Sequence, residues 1–373
     1  MKLRLDGGEV LLRGAWVPSC PILWEDGRIL AVGEVCASIS ADQILDANGA
    51  LVAPGLIDVH THGRGGYDFA TATEDEMRRM KQDYARRGVT ALFPTLASAT
   101  LPTWMCAIQA IEACGFDGIH LEGRYLNPAK RGAHAAELLA PLDADELEMV
   151  LCRVSIPCHV SAAFELDTDG SFAACAKRHG ATMGLGHTAA SAAQTKMAMA
   201  RGVSSFTHLF NAMPPLHHRE GGAVSVALCG GGYAELIVDG MHISPDMIRL
   251  AYRCLGRERT VLVTDSMEGT GCADGIYSIA GQSVTLKDGK ALTAYGALAG
   301  STLDLWDGVK NLMRFAEIPL ADAIACATET PARMVGIFDR VGSIDKGKRA
   351  DLLLIDPKTL NLCGVIANGE PIA

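Results

Sequence analysis

Leu56-Ile-Asp-Val-His-Thr-His-Gly63 begins within the apolar run Leu51-Val-Ala-Pro-Gly-Leu-Ile57 and carries its two histidines just past the end of that run. A short apolar run marked by proline and glycine reads as a buried strand. Side chains alternate along a strand, so His60 and His62 point to the same side and can approach one cation. The same two residues in a plain loop carry no such meaning, and the rest of the chain decides between the readings.

Seven further apolar runs follow: Ala91 to Pro94, Gly118 to Leu121, Pro157 to Ala162, Thr182 to Leu185, Ser205 to Leu209, Tyr233 to Val238 and Val261 to Thr264. Between them lie segments of helical period, including Thr73 to Arg87, Leu101 to Cys114, Asp145 to Leu151, Ser191 to Gly202 and Pro245 to Leu255. Strands alternating with helices predict an α/β fold, a (β/α)8 TIM-like barrel, with a doubly wound open sheet as the competitor. Short strand-like pieces open the chain, and Gly342 to Ile355 ends it with turn residues and an apolar strand. We expect residues 1–51 and 339–373 to form a small β-sandwich domain from both ends, and residues 52–338 to form the barrel.

The chain has 373 residues, 49% of them hydrophobic, which is enough for a large core and a second small one. Its net charge of -10 and the absence of basic clusters beyond pairs such as Arg78-Arg79 argue against nucleic acid as a partner. No stretch of about eighteen apolar residues is present, so no membrane span is expected. The N-terminus lacks the apolar core of a signal peptide, and a cytoplasmic location is expected. The twelve cysteines include no C-x-x-C pair and read as reduced thiols.

Catalytic groups of a barrel sit beyond the C-terminal ends of its strands. Those places hold His60 and His62, Glu122, His187, His208, Asp239 with His242, and Asp265. A lone histidine beside an apolar run is ordinarily structural. Recurrence at equivalent places in successive β/α units is what points to a site, while His159 and His179 lack that support. Imidazole and carboxylate suit zinc or a similar divalent ion, and a carboxylate such as Glu122 can bridge two ions. Taken alone, Asp265 fits a general base and equally a loop cap, and the surrounding constellation tips it toward catalysis. The stretch Thr207 to Gly222 holds Asn211, His217, His218 and Arg219, which suit a loop gripping a polar or anionic substrate as well as a solvated loop. No phosphate-binding glycine loop or nucleophile elbow is found.

With these motifs in order, the chain resembles the N-acetylglucosamine-6-phosphate deacetylases of the amidohydrolase superfamily. The resemblance runs through Pro54-Gly-Leu-Ile-Asp-Val-His-Thr-His-Gly63, His120-Leu-Glu-Gly123, Lys130-Arg-Gly-Ala-His134 and Gly186-His187-Thr188. It continues through Thr207-His-Leu-Phe-Asn-Ala-Met213, His217-His-Arg-Glu220, Asp239-Gly-Met-His242, Val263-Thr-Asp265 and Leu298-Ala-Gly-Ser-Thr302. It implies Glu122, His187 and His208 as principal metal ligands, with His60 and His62 supplying a second position and Asp265 within the metal centre.

The resemblance further implies Asp265 as the catalytic acid and base, and His134 as the residue that contacts substrate and polarises the acyl carbonyl. Asn211, Ala212, Arg219 and His242 would contact the sugar phosphate, with Arg219 reaching across a homodimer into the neighbouring site. One or two divalent ions per subunit are implied, zinc first, with iron, manganese or cobalt as alternatives. The implied reaction turns N-acetylglucosamine 6-phosphate into glucosamine 6-phosphate and acetate. Alternatives are a related sugar such as N-acetylgalactosamine 6-phosphate, or a silent sugar-phosphate sensor on the same scaffold. Two departures stand near the expected mouth, where Arg124 and Phe164 replace prolines, and Arg124 is expected beside Glu122.

Overall fold

The computed structural model describes residues 1–372, so the last residue of the expected small domain, Ala373, lies outside the described residues. Eight parallel strands run side by side in chain order: β1 (Leu56–Thr61), β2 (Val89–Leu96), β3 (Ile119–Glu122), β4 (Cys158–Ala162), β5 (Thr182–Leu185), β6 (Ser205–Phe206), β7 (Tyr233–Ile237) and β8 (Thr260–Val263). They are buried almost throughout, as parallel strands wrapped by helices must be. All eight expected runs are strands. β6 stops at Phe206 instead of Leu209, because the chain turns to φ 30° at His208.

The ends of this sheet meet at a seam, which makes it a barrel and removes the open-sheet alternative. β8 and β1 share no continuous ladder. At the mouth, Thr61 bridges Ser266, the His62 N–H donates to Ser266 O at 2.8 Å, and the Asp265 N–H donates to His60 O at 2.8 Å. Farther down, the Ile57 N–H donates to Ala327 O and the Leu262 N–H to Cys326 O, each at 2.8 Å. A segment from the C-terminal helices therefore fills the gap between the first and last strands.

Helices α1 (Glu74–Arg86), α2 (Leu101–Ala113), α3 (Ala144–Leu151), α4 (Ser171–Arg178), α5 (Ala192–Ala200), α6 (Gly222–Leu228) and α7 (Pro245–Leu255) link successive strands. Sequence chemistry sets their starts. Thr73 and Glu76 close a capping box at α1, and Ser191 and Gln194 close one at α5. The inner faces of the helices pack on the strands through Met77, Tyr84, Trp104, Ile111, Leu147, Phe172 and Ile248.

Both chain ends build a second core. One sheet orders the strands Arg28–Val32, Ile22–Glu25, Lys2–Asp6 and Gln43–Asp46. The other joins Leu352–Ile355 antiparallel to Leu51–Pro54, with Leu352 opposite Pro54. Leu3, Leu5, Trp24, Val52, Leu352 and Ile366 fill the space between the sheets. Leu51–Pro54 leads after one residue into β1, so this small domain is tied directly to the strand that carries His60 and His62.

A three-stranded antiparallel insertion, Gly275–Ile279, Gln282–Lys287 and Lys290–Thr293, follows β8. Its turn residue Ala280 accepts a hydrogen bond from the Ala135 N–H at 3.1 Å, which places the insertion beside the loop carrying His134. Among the described residues no helix is long and apolar enough to cross a membrane. The cysteines are all free.

Candidate active site

Glu122 ends β3 at the centre of the mouth, and imidazoles from three other strands converge on its two oxygens. His187 Nε2 lies 3.2 Å and His208 Nε2 3.0 Å from Oε1. His62 Nε2 lies 3.1 Å and His60 Nε2 3.4 Å from Oε2. Asp265 Oδ1 faces the same two histidines, 3.1 Å from His62 Nε2 and 3.5 Å from His60 Nε2. His134 Nε2 stands 3.8 Å from Glu122 Oε2. All of these side chains are buried.

The backbone makes this convergence. His187, His208 and Asp265 have φ of 45°, 30° and 50°, in the left-handed region that non-glycine residues rarely occupy. Each turn swings a side chain inward just past its strand. Such strain costs on the order of 1–3 kcal/mol per residue and persists where the surrounding structure holds it. Gly123 lets the chain pass close beside Ser98, with which a Cβ there would collide.

Hydrogen bonds at the far ring nitrogens fix how the imidazoles present themselves. His187 Nδ1 donates to Lys130 O at 2.8 Å, and His60 Nδ1 meets the buried Glu235 Oε2 at 2.9 Å. Both rings therefore turn Nε2 toward Glu122, the nitrogen that is free to take up a proton or a cation. His134 is set the opposite way: its Nδ1 accepts from the Ser98 N–H at 3.3 Å and meets Ser98 Oγ at 2.8 Å. That leaves an N–H at Nε2, directed at the cavity.

The residues fit a divalent metal. His60 Nε2 has no hydrogen-bond partner although it is completely buried. His60, His62 and Glu122 have ligand atoms within 4.8 Å of one another, and His187 and His208 close on the other oxygen of Glu122. Electrostatics agree. Burial opposes charge on every group here, yet Glu122 and Asp265 drive His60 well above the ordinary imidazole value. Burial also opposes charge on His62, but Asp265 and Glu122 hold it up at about 9. Against the same penalty, His60 and His62 hold Asp265 down at about 2. Two buried carboxylates at one point call for positive charge, which bound protons or a cation can supply.

A cavity of about 260 Å³ opens over this centre, lined by Glu122, His134, Asn211, Ala212, His242 and Asp265 among others. His242 is anchored by Asp239, with Nδ1 2.6 Å from Oδ2. The expected Arg219 is not in that lining. It is exposed, with Nη1 2.8 Å from His218 Nε2, and His217 and His218 lie on the same outer loop. Arg124 also departs from expectation. Its φ of 56° turns it outward from Glu122 to Glu146, at 3.0 Å, and to Ala99 O. Phe164 is buried against Phe172 and does not line the cavity.

Three supporting residues were not singled out in the sequence. Glu235 holds His60, Ser98 holds His134, and Asp58 accepts from the Thr264 hydroxyl at 2.6 Å, tying β1 to the turn before Asp265. The available signal was a carboxylate inside an otherwise apolar strand, as in Tyr233-Ala-Glu-Leu-Ile237 and Leu56-Ile-Asp-Val59. Isolated charges of that kind are rarely buried unless they are paired.

Residues 51–372 match the model of the amidohydrolase family. The chain belongs to the amidohydrolase family. Among curated amidohydrolase relatives, the N-acetylglucosamine-6-phosphate deacetylase of Vibrio furnissii is 34% identical over 89% of this chain and 85% of its own. The N-acetylgalactosamine-6-phosphate deacetylase of Escherichia coli O157:H7 is 33% identical over 94% of both chains. Among solved structures, a mutant N-acetyl-D-glucosamine-6-phosphate deacetylase from Mycobacterium smegmatis, in complex with N-acetyl-D-glucosamine-6-phosphate, superposes with a TM-score of 0.90. That structure is 32% identical and covers 100% of this chain and 99% of its own.

Proposed function

We propose that this amidohydrolase is a metal-dependent deacetylase that hydrolyses N-acetylglucosamine 6-phosphate to glucosamine 6-phosphate and acetate. The observation that carries the reading is the Glu122-centred cluster with Asp265 and His134 at one cavity, in a chain that aligns nearly end to end with deacetylases. His60, His62, Glu122, His187 and His208, with Asp265 in reach, would hold one or two divalent ions. Zinc suits this nitrogen and oxygen set, with iron, manganese and cobalt as alternatives. A bound ion supplies Lewis acidity, acidifying water and polarising an acyl oxygen.

The protein's own groups account for the proton movements. Asp265 is charged, buried and at the mouth, so it can take a proton from the attacking water as the new C–O bond forms. The same carboxyl then gives that proton to the amine nitrogen as the C–N bond breaks. Burial, and secondarily His187, push His134 down to about 3, so it stays neutral and its Nε2–H can donate to the acyl oxygen. Asn211, Ala212 and His242 line the cavity and would meet the sugar phosphate. Arg219 is exposed, consistent with its serving the site of the second subunit in a homodimer. A phosphorylated substrate does not cross membranes unaided, which favours a cytoplasmic location.

The E. coli O157:H7 relative supports a second reading, N-acetylgalactosamine 6-phosphate as the substrate. A silent sensor would need no base at Asp265. The test is acetate release from both epimers before and after exhaustive chelation. We expect turnover of the gluco epimer to exceed that of the galacto epimer and to vanish with the metal. Turnover that survives complete metal removal would refute the mechanism, and a galacto preference would select the second reading.

A further inference from the structure

On the outside of the barrel, α3 and α4 flank β4 and pack against each other. Glu148 in α3 and Cys152 at its C-terminal cap are four residues apart, as are Cys175 in α4 and His179 at its cap. Residues at i and i+4 share a helix face, so each helix offers the other a pair of ligand side chains. Glu148 is where the pairs meet. Its Oε1 is 2.8 Å from His179 Nε2 and 3.8 Å from Cys152 Sγ. Its Oε2 is 3.3 Å from Cys175 Sγ and 2.9 Å from Arg178 Nη2. The ligand atoms of Glu148, Cys152 and His179 all lie within 4.8 Å of one another.

We propose that Glu148, Cys152, Cys175 and His179 form a separate structural site for a thiophilic divalent cation of the zinc class, which clips α3 to α4. Two thiolates, one imidazole and one carboxylate make a four-donor set suited to tetrahedral zinc. The mouth offers only nitrogen and oxygen donors, so the outer site is the softer one and the two differ in metal preference. Binding releases the two thiol protons to solvent, because the thiolate is the ligand. Glu148 Oε1 exchanges its hydrogen bond with His179 for the cation, while the exposed Arg178 keeps Oε2 or moves into water.

Sulfur ligation gives the test a readout that the mouth cannot produce. Cadmium is added to the metal-loaded, reduced full-length protein, and the ultraviolet band of cadmium–thiolate charge transfer is followed. The expected result is a band that saturates at one cadmium per chain, is lost in Cys152→Ser and is weakened in His179→Ala. Acetate release should be unchanged in both variants. Cys152 is exposed, so Cys152→Ser leaves the core intact and retains every other cysteine as a control. A band of the same size in Cys152→Ser and the parent, or no band at saturating cadmium, would overturn the proposal.

Discussion

Two layers of histidine occupy the same barrel, and one ring contact joins them, His60 to His120 with centroids 4.5 Å apart. In the upper layer, His60 and His62 face Glu122 and Asp265 and are drawn toward the charged form. In the lower layer, His120 and His159 are equally buried and their hydrogen bonds go to hydroxyls, with one carboxylate, Glu235, whose Oε1 stands 3.7 Å from His159 Nε2. His120 Nε2 meets Ser161 Oγ at 2.7 Å and its Nδ1 meets Thr95 Oγ1 at 3.2 Å; His159 Nδ1 meets Thr182 Oγ1 at 2.9 Å. Burial and the neighbouring His60 hold His120 well below the ordinary value, and burial holds His159 down at about 4. His120 lies only two residues before Glu122 on β3, so residue type, strand and burial do not distinguish the layers. The partners do: two or three close carboxylates make the buried imidazoles of His60 and His62 part of a charged centre, whereas hydroxyls, even with Glu235 at 3.7 Å from His159, leave the lower pair neutral packing.

The charged layer should respond most strongly to substitution, and in chemistry. Asp265→Asn keeps the shape but removes the base, and acetate release should fall by about a hundredfold or more while product binding, measured by calorimetry, is kept. Undiminished turnover would move Asp265 out of the mechanism. His134→Ala removes the Nε2–H donor, and a fall in kcat of about a hundredfold is expected, with KM changing much less. An effect confined to KM would make His134 a binding group only. Replacing His60 and His62 together should lower the metal found by elemental analysis without emptying the site, since Glu122, His187 and His208 remain. Complete loss would make the histidine pair on β1 the primary grip.

The lower layer should respond in stability and not in chemistry. His120→Ala leaves Ser161 and Thr95 without their partner and should cost about 2–3 kcal/mol in urea unfolding, with metal content unchanged. Metal loss there would erase the distinction between the layers. His159 gives the smallest and most specific signal. Its folded pKa lies below the unfolded value, so the unfolded chain takes up the proton first. Its contribution is whole above about pH 6.5 and is lost as the pH falls toward about 4. His159→Gln should flatten that part of the urea midpoint plotted against pH, and an unchanged slope would show that another group sets it.

Much of the barrel could be read because its strands are short apolar runs between amphipathic helices, each begun by a recognisable cap such as Thr73 or Ser191. The cavity-lining candidates were legible for a related reason, since a barrel places them just past those runs. Other features depend on contacts between distant residues. Arg124 finds its partner in Glu146 on the next helix, so a substitution expected to crowd Glu122 leaves it free. Glu235 acts through His60, which is 175 positions away, and nothing local to β7 names that partner. The left-handed turns at His187, His208 and Asp265 leave no mark in residue type, because histidine and aspartate are also common in ordinary conformations. Arg219 lies on an exposed loop outside the cavity lining, and nothing local to its stretch of sequence places it there.

The seam between β8 and β1 has a consequence for how the protein ages under heat. It is the one junction of the barrel without a continuous ladder, and its flanks carry Asp265 on one side and His60 with His62 on the other. A gap that breathes there parts the base from its neighbours while the other seven junctions stay zipped. Working life should therefore end before the fold does: on slow warming, acetate release should decline several degrees before the circular dichroism melt begins, and in step with hydrogen exchange at the amides of His62 and Asp265.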